Sequence, residues 1–260
     1  MKNRITALFE RKNQNILSIY FTAGYPELND TCSIIAELEK CGADLIEIGM
    51  PFSDPVADGP VIQHSSEIAL KNGMTVHLLF EQLKEIRRSI SIPLILMGYL
   101  NPVMQYGIED FCKKCKEIGI DGTIIPDLPL EIYEEEYKKI FEENSLSNIF
   151  LVTPQTSDER IRKIDSLSSG FIYLVSSSST TGVKGSVNEA QISYFDRIRK
   201  MKLASKLLIG FGISDKDSFE KASGFANGAI IGSAFIKAMN GDEAIESKVK
   251  TFMQRFFVEN

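Results

Sequence analysis

Two patterns of hydrophobic and polar residues follow each other along the chain. Short apolar runs rich in β-branched residues recur throughout, and amphipathic patterns such as TCSIIAELEKCG and TVHLLFEQLKEIRRS lie between them. The apolar runs are continuous, which is typical of parallel strands that are covered on both faces. We therefore predict eight strands separated by helices, at Ile16–Thr22, Leu45–Gly49, Pro93–Met97, Gly122–Ile125, Ile149–Val152, Phe171–Val175, Lys206–Gly210 and Ala229–Gly232.

A weak internal repeat supports this order. The segments EKCGADLIEIG, KEIGIDGTIIPD and KASGFANGAIIGS each contain a charged helix pattern that ends at glycine and leads into an apolar strand. Glycine commonly follows the last turn of a helix because it tolerates positive φ. Eight strand–helix units in 260 residues predict a (β/α)8 barrel, a fold of about 250 residues. A doubly wound open sheet is the alternative.

The remaining organisation is simple. We expect an extra helix before the first strand and a short helix after the eighth. No linker rich in proline, glycine or serine interrupts the chain, so residues 1–260 are predicted to form a single barrel domain. The segment Ser176–Ser186, which follows the sixth strand, is predicted to be a mobile loop.

Composition and charge exclude several classes of function. The chain has 29 basic and 35 acidic residues and a net charge of −6, whereas nucleic acids and anionic membranes attract basic surfaces. The longest apolar run, near Ile92–Leu100, is about half the roughly 18 residues that span a bilayer. A charged N-terminal segment and few cysteines favour a cytoplasmic protein.

Neither the cysteines nor the histidines predict a metal site. Cys112 and Cys115 form a C-x-x-C pair within DFCKKCKEIG, an amphipathic pattern that places both on one helix face. We interpret them as ordinary buried helix cysteines. His64 and His77 have no metal-ligand spacing, and we expect structural or surface positions for both.

Glu47 is the first candidate for chemistry. Barrels of this kind carry their active sites at the carboxyl ends of the strands. Glu47 lies near the end of the second strand between Ile46 and Ile48, so strand alternation turns it to the opposite face from both. A carboxyl group in the barrel mouth loses hydration, which raises its pKa toward that of a general acid or base. The alternative is a buried structural carboxyl group with a fixed partner.

The loop after Glu47 supplies two more carboxylates. Residues 50–60, MPFSDPVADGP, contain Asp54, Asp58 and three prolines. Prolines restrict the backbone, and a rigid loop suits side chains that need exact placement. Turn chemistry alone accounts for either aspartate, since aspartate is common before proline or glycine.

Two glycine motifs predict a phosphate site. Gly210-Phe211-Gly212-Ile213-Ser214 ends the seventh strand, and Gly232-Ser233 ends the eighth. Glycines let backbone N–H groups approach an anion, and a helix that starts at Ser233 points its positive end at it. Tight turns without a ligand are the alternative. Asp127, after the fourth strand, either lines the site or caps a helix.

The motifs together resemble one family. GADLIEIGMPFSDPVADGPVIQ is similar to the signature of the tryptophan synthase α subunit family, and FTAGYP, MGYLNPV, IIPDLPLEI, GFGIS and GAIIGSA follow its order along the whole chain. The resemblance implies retro-aldol cleavage of indole-3-glycerol phosphate to indole and glyceraldehyde 3-phosphate. It implies that Glu47 is the acid/base at the indole C3 and the glycerol hydroxyl, and that the Asp58 carboxylate binds the indole nitrogen.

The same resemblance implies the rest of the site. Tyr20, Ile62, Tyr99, Ile125, Tyr173 and Phe211 would line the indole pocket. Backbone groups at Gly182, Gly212, Gly232 and Ser233 would hold the phosphate, and Thr181 would close over Asp58. No cofactor is expected in this chain. A β subunit carrying pyridoxal phosphate is the expected partner, in an α2β2 heterotetramer, with Pro51, Asp54 and the MGYLNPV loop facing it.

The sequence departs from the family at one segment. Its members carry a pattern close to R-x-G-V-T-G where this chain has SSSTTG at residues 177–182. The basic residue and the first glycine are missing, which puts closure of this lid and signalling between subunits in question. Two alternatives remain open: a subunit that mainly activates its β partner, and another phosphate-binding barrel such as a sugar-phosphate isomerase.

Overall fold

Eight parallel strands close into a barrel. The computed structural model describes residues 3–176, 189–210 and 212–257. Each strand pairs with its neighbours in chain order, and β1 pairs with β8 to complete the ring. The predicted (β/α)8 barrel is confirmed, and the open sheet is excluded. The strands are β1 Ile16–Thr22, β2 Leu45–Gly49, β3 Leu94–Met97, β4 Gly122–Ile124, β5 Ser147–Val152, β6 Phe171–Val175, β7 Lys206–Gly210 and β8 Gly228–Ile231.

Helices connect consecutive strands around the outside. Both predicted additions are present, α1 before β1 and α12 directly after β8. Residues 130–143 form a helical segment in which a π-helical turn, Tyr133–Tyr137, separates two short α-helices. The α-helices are α1 Arg4–Arg11, α2 Thr31–Lys40, α3 Pro60–Lys71, α4 Val76–Leu83, α5 Leu100–Tyr106, α6 Ile108–Ile118, α7 Leu130–Ile132, α8 Lys138–Glu143, α9 Asp158–Leu167, α10 Glu189–Lys200, α11 Lys216–Ser223, α12 Ser233–Ala238 and α13 Ile245–Phe257.

The strand register determines which side chains meet inside the barrel. Tyr20 on β1 lies beside Glu47 on β2, and Glu47 lies beside Ile95 on β3. Because residues in register share a face of the sheet, these three side chains lie side by side on the inward face. Ser18 is in register with Leu45, so it lies on the same face, two residues nearer the amino ends of the strands.

Two strand glycines make room for tyrosine rings. A Cβ atom at Gly49 would overlap the hydroxyl end of Tyr20, and a Cβ atom at Gly210 would overlap that of Tyr173. Both tyrosines are buried. The glycines on β2 and β7 therefore set where the two phenol rings lie at the carboxyl end of the barrel.

The opposite end of the barrel is fixed by a buried carboxylate. Asp121 is 2% exposed and accepts hydrogen bonds from Arg87 at 2.6 Å, Arg4 at 3.1 Å and the Leu94 N–H at 3.0 Å. The Asn3 side chain caps α1 and also donates to Ser147 Oγ at 2.9 Å. These contacts attach α1 to the amino ends of β4 and β5, away from the predicted site.

The cysteines and histidines lie where the sequence indicates. Cys112 and Cys115 are unbridged and buried in α6, and burial raises the pKa of Cys112 to about 12. His64 and His77 lie on the outer helices, and His77 packs on Tyr106 with ring centroids 4.5 Å apart. Among the described residues, no helix has the length and apolar character needed to cross a membrane.

Candidate active site

Glu47 lies in the barrel interior with one free oxygen. Its side chain is fully buried, and Ser18 Oγ donates a hydrogen bond to Oε1 at 2.9 Å. Oε2 has no hydrogen-bond partner among the described residues. Burial raises the pKa of Glu47 from 4.5 to about 8, and the Ser18 hydrogen bond opposes this rise. Glu47 is therefore predominantly a neutral acid at pH 7 and can both give and take a proton near neutral pH.

Asp58 occupies a different environment in the loop after β2. Tyr99 Oη donates to Asp58 Oδ2 at 3.0 Å and itself accepts the Ala57 N–H at 2.9 Å. Burial raises the pKa of Asp58 from 3.8 to about 6, with the Tyr99 hydrogen bond acting in the opposite direction. Asp58 is consequently ionised at pH 7 while Glu47 holds its proton, and such a pair can divide acid and electrostatic roles.

Two buried tyrosines, Tyr20 and Tyr173, each interact electrostatically with both carboxyl groups. Burial raises the pKa of Tyr20, and Asp58 and Glu47 both add to the effect. Burial likewise raises the pKa of Tyr173, with further contributions from Glu47 and Asp58. Both phenol groups are therefore neutral, and the charge of either carboxyl group would disfavour their ionisation. The structure brings these four side chains together at the carboxyl end of the barrel.

A small cavity lies beside Asp58. Its volume is about 10 Å³, close to that of one water probe, so a ring-sized ligand requires the lining side chains to separate. Tyr20 and Tyr99 were predicted to line it. Met50 and Phe52 were not predicted to line it, although both belong to the proline-rich loop at residues 50–60. The full lining is Tyr20, Met50, Phe52, Pro55, Asp58, Ser66, Met97, Gly98, Tyr99 and Pro126.

The other predicted pocket residues are placed as follows. Ile62 is buried in the first turn of α3, directly after the Asp58 loop, and Ile125 is buried immediately after β4. Neither contributes to the cavity lining. Thr181, Gly182 and Phe211 lie outside the described residues, as does the whole SSSTTG segment.

The predicted phosphate groups lie at the ends of β7 and β8. Gly212 has a φ of 79°, and a Cβ atom there would meet no neighbour within 4 Å. Gly232 precedes α12 without a side-chain cap, and a Cβ atom on it would lie 3.3 Å from Cδ1 of Tyr20. Ser233 is the first residue of α12. The start of α12 thus lies next to Tyr20, which also interacts electrostatically with Glu47 and Asp58.

Asp127 contacts the start of a helix and does not line the cavity. Its Oδ1 accepts the N–H of Leu100 at 2.9 Å, in the first turn of α5. The N-cap prediction is wrong, because Pro129 is the N-cap of the helix after β4 and Tyr99 is that of α5. Asp54 is exposed, and so are Val56 and Met104, at 86% and 56%. Asp54 and Val56 lie in the loop after β2, and Met104 lies in α5 after β3.

Ser18 is the functional candidate that sequence reasoning missed. It interrupts the apolar strand ILSIYFT two residues before Tyr20, and that spacing puts both on one face. A serine inside an otherwise apolar strand was a signal for a buried polar partner. Finding that partner required the register between β1 and β2.

Comparison with known proteins shows the same relationship along the whole chain. The family model described as "Tryptophan synthase alpha chain" matches residues 6–258. The tryptophan synthase alpha chain of Flavobacterium psychrophilum is 59% identical over 255 residues, covering 98% of this chain and 100% of that protein. The alpha chain of Phocaeicola vulgatus is 56% identical over 246 residues, covering 95% of each.

Solved structures extend the similarity to the fold. The tryptophan synthase alpha chain from Legionella pneumophila has a TM-score of 0.87 and 32% identity, covering 98% of this chain and 96% of that one. A chain of the tryptophan synthase complex from Pyrococcus furiosus has a TM-score of 0.83 and 34% identity, covering 94% and 98%.

Proposed function

Because this chain belongs to the tryptophan synthase alpha chain family, we propose a retro-aldol cleavage in which Glu47 and Asp58 divide the work. The activity is that of a carbon–carbon lyase: indole-3-glycerol phosphate gives indole and glyceraldehyde 3-phosphate, the alpha reaction of tryptophan biosynthesis. The observation that carries the residue assignment is the fully buried Glu47 carboxyl with its raised pKa and one unpartnered oxygen.

Glu47 moves the protons. Indole C3 must gain a proton before the bond to the glycerol carbon breaks, and the neutral Glu47 carboxyl is a suitable donor. The electron pair of the broken bond remains with the indole ring. The adjacent hydroxyl loses its proton as it becomes the aldehyde, and the resulting Glu47 carboxylate accepts it. No net proton is consumed, and the two products account for all substrate atoms.

Asp58 stabilises the ring nitrogen. Protonation at C3 places positive charge on the indole N–H, and a nearby carboxylate lowers the energy of that charge in a water-poor site. The hydrogen bond from Tyr99 helps to keep Asp58 ionised and in place. The remaining pocket is largely apolar, as expected for an indole ring.

We place the rest of the substrate by its chemistry. Tyr20, Ile62, Tyr99, Ile125 and Tyr173 form the indole side, joined by Phe211. The phosphate lies on backbone groups of Gly182, Gly212, Gly232 and Ser233, and Thr181 closes over Asp58. The uncapped start of α12 next to Tyr20 supports this placement. All these groups belong to one barrel domain spanning residues 1–260.

The partner is the tryptophan synthase beta chain, with which alpha chains form the complex. We propose an α2β2 arrangement in the cytoplasm in which this chain carries no cofactor and the beta chain carries pyridoxal phosphate. The exposed Asp54, Val56 and Met104, in the segments that follow the carboxyl ends of β2 and β3, support a partner-facing surface there.

Release of indole from indole-3-glycerol phosphate tests the assignment directly. Glu47→Gln should lower kcat by about 10²–10⁴-fold, the range for loss of a general acid/base, with folding and phosphate binding retained. Asp58→Asn should have a similar effect. Near-normal turnover in either variant would contradict its assigned role.

Two further measurements test the placement of the phosphate and the effect of the altered lid. Ser233→Asp should raise KM through repulsion of the phosphate, and an unchanged KM would show that the phosphate lies elsewhere. Assays with and without the beta chain address the SSSTTG segment. If neither the isolated chain nor the complex releases indole, the lyase assignment is wrong and the chain acts mainly as an activating subunit.

A further inference from the structure

One buried hydroxyl inside the barrel is directed at Glu47. Ser18 is 0% exposed and lies on the inward face of β1, in register with Leu45 of β2. Leu45 precedes Glu47 by two residues on the same face. Ser18 therefore lies on the neighbouring strand, one inward-facing position closer to the amino ends than Glu47.

The hydrogen bond has a specific geometry. Ser18 Oγ donates to Glu47 Oε1 at 2.9 Å, and both side chains are fully buried. Oε2 of the same carboxyl group has no partner among the described residues. The two oxygens are thus distinguished: one is held by the barrel wall and the other is free to exchange a proton.

We propose that Ser18 is a positioning residue for the cleavage reaction, which fixes the Glu47 carboxyl through Oε1 and reserves Oε2 for proton transfer. This inference rests on the proposed role of Glu47. A glutamate has several rotatable bonds, and a buried hydrogen bond selects one of its rotamers. When Oε1 accepts the hydrogen bond from Ser18 Oγ, the acidic proton of the neutral carboxyl group resides on Oε2.

The surroundings explain why this contact matters. In the dry interior a hydrogen bond is stronger than in water, and a misplaced carboxyl group has no solvent to restore its geometry. The Ser18 bond also favours the ionised form of Glu47 against the effect of burial. Ser18 therefore acts on both the position of Glu47 and the pH at which it releases its proton.

The test compares Ser18→Ala with a matched control. Ser147→Ala removes an equally buried hydroxyl from β5 at the other end of the barrel, where it contacts Asn3. Ser18→Ala should lower kcat about 10-fold, as expected when a hydrogen bond to a reacting group is lost, with KM within about twofold. Ser147→Ala should retain the wild-type kcat. Ser18→Thr, which keeps the hydroxyl, should recover most of the kcat lost in Ser18→Ala.

The pH dependence separates positioning from packing. Without the Ser18 hydrogen bond the pKa of Glu47 rises, so the alkaline limb of the kcat–pH profile should move to higher pH in Ser18→Ala. A purely structural serine would leave that limb in place. Wild-type kcat and an unmoved limb in a folded Ser18→Ala protein would overturn the proposal.

A second measurement is independent of turnover. In protein labelled with ¹³C at glutamate carboxyl groups, NMR titration reports the Glu47 midpoint directly, with Glu47→Gln identifying the signal. The midpoint should be higher in Ser18→Ala than in wild type, and an identical midpoint would refute the inference. If the wild-type chain fails to cleave the substrate, the proposed function fails, while the titration still decides whether Ser18 controls Glu47.

Discussion

Glu47→Gln is expected to stabilise the folded protein at neutral and alkaline pH. Burial raises the pKa of Glu47 from 4.5 to about 8, so the folded chain keeps a proton that the unfolded chain releases. The folded state therefore binds more protons between these pH values, and stability falls as pH rises through that interval. Glutamine is similar in size and carries no ionisable group, so the variant loses this pH-dependent penalty.

The magnitude follows from the two pKa values. The interval from 4.5 to about 8, at about 1.4 kcal/mol per pH unit, corresponds to about 5 kcal/mol of lost stability above pH 8. Below pH 4.5 both states are protonated and the penalty vanishes. The free energy of unfolding of the Glu47→Gln variant should therefore exceed that of wild type by an amount that grows from pH 4.5 and becomes constant near pH 8.

Urea unfolding at several pH values from 4 to 9, followed by circular dichroism, measures this gain. The chain has no tryptophan, so far-ultraviolet ellipticity is the more suitable signal. Glu10→Gln is the matched control, since Glu10 is exposed at the end of α1, and its stability should follow wild type at every pH. A difference between the Glu47→Gln variant and wild type that does not change with pH would refute the reasoning.

Three further predictions concern the same end of the barrel. The kcat/KM–pH profile should be bell-shaped, rising near pH 6 as Asp58 ionises and falling near pH 8 as Glu47 loses its proton; Asp58→Asn should abolish the acidic limb in whatever activity remains. Tyr99→Phe should move that limb to higher pH, because its hydrogen bond lowers the pKa of Asp58; an unmoved limb would contradict this. Gly210→Ala should destabilise the fold by about 1–3 kcal/mol through overlap with Tyr173. Adding Tyr173→Val should recover part of that loss, and thermal unfolding that shows simple additivity would exclude the overlap as its cause.

The strands were predictable because a parallel barrel gives each of them a simple signal. The predicted bounds of β1, β2, β6 and β7 agree with the structure, and those of the other four differ by at most two residues. A strand covered on both faces is a continuous apolar run, and glycine marks the preceding helix end, as at Gly119 after α6. A predicted strand end differs from the observed one where the strand and the following loop are both apolar, as at Ile125, which lies just after β4.

The chemistry was predictable only in part. Glu47 was identifiable because a carboxyl group between two isoleucines is costly without a function. The contacts of Ser18 and Asp127 were not, since each partner lies on a different strand or loop and depends on register. Likewise, Met50 and Phe52 line the cavity because the proline-rich loop folds over the barrel mouth, and a sequence pattern does not give that direction.

The pairing of β1 with β8 has a consequence for biosynthesis. The edge of β1 at Ile16–Ile19 finds its partner only at Gly228–Ile231, about 200 residues later, which at ribosomal rates of about 5–20 residues per second is roughly 10–40 s. During that time an apolar strand edge lacks its final partner and can pair with other nascent chains. The ring can therefore close only after almost the whole chain has been synthesised, and until then the β1 edge is open to pairing with a second chain.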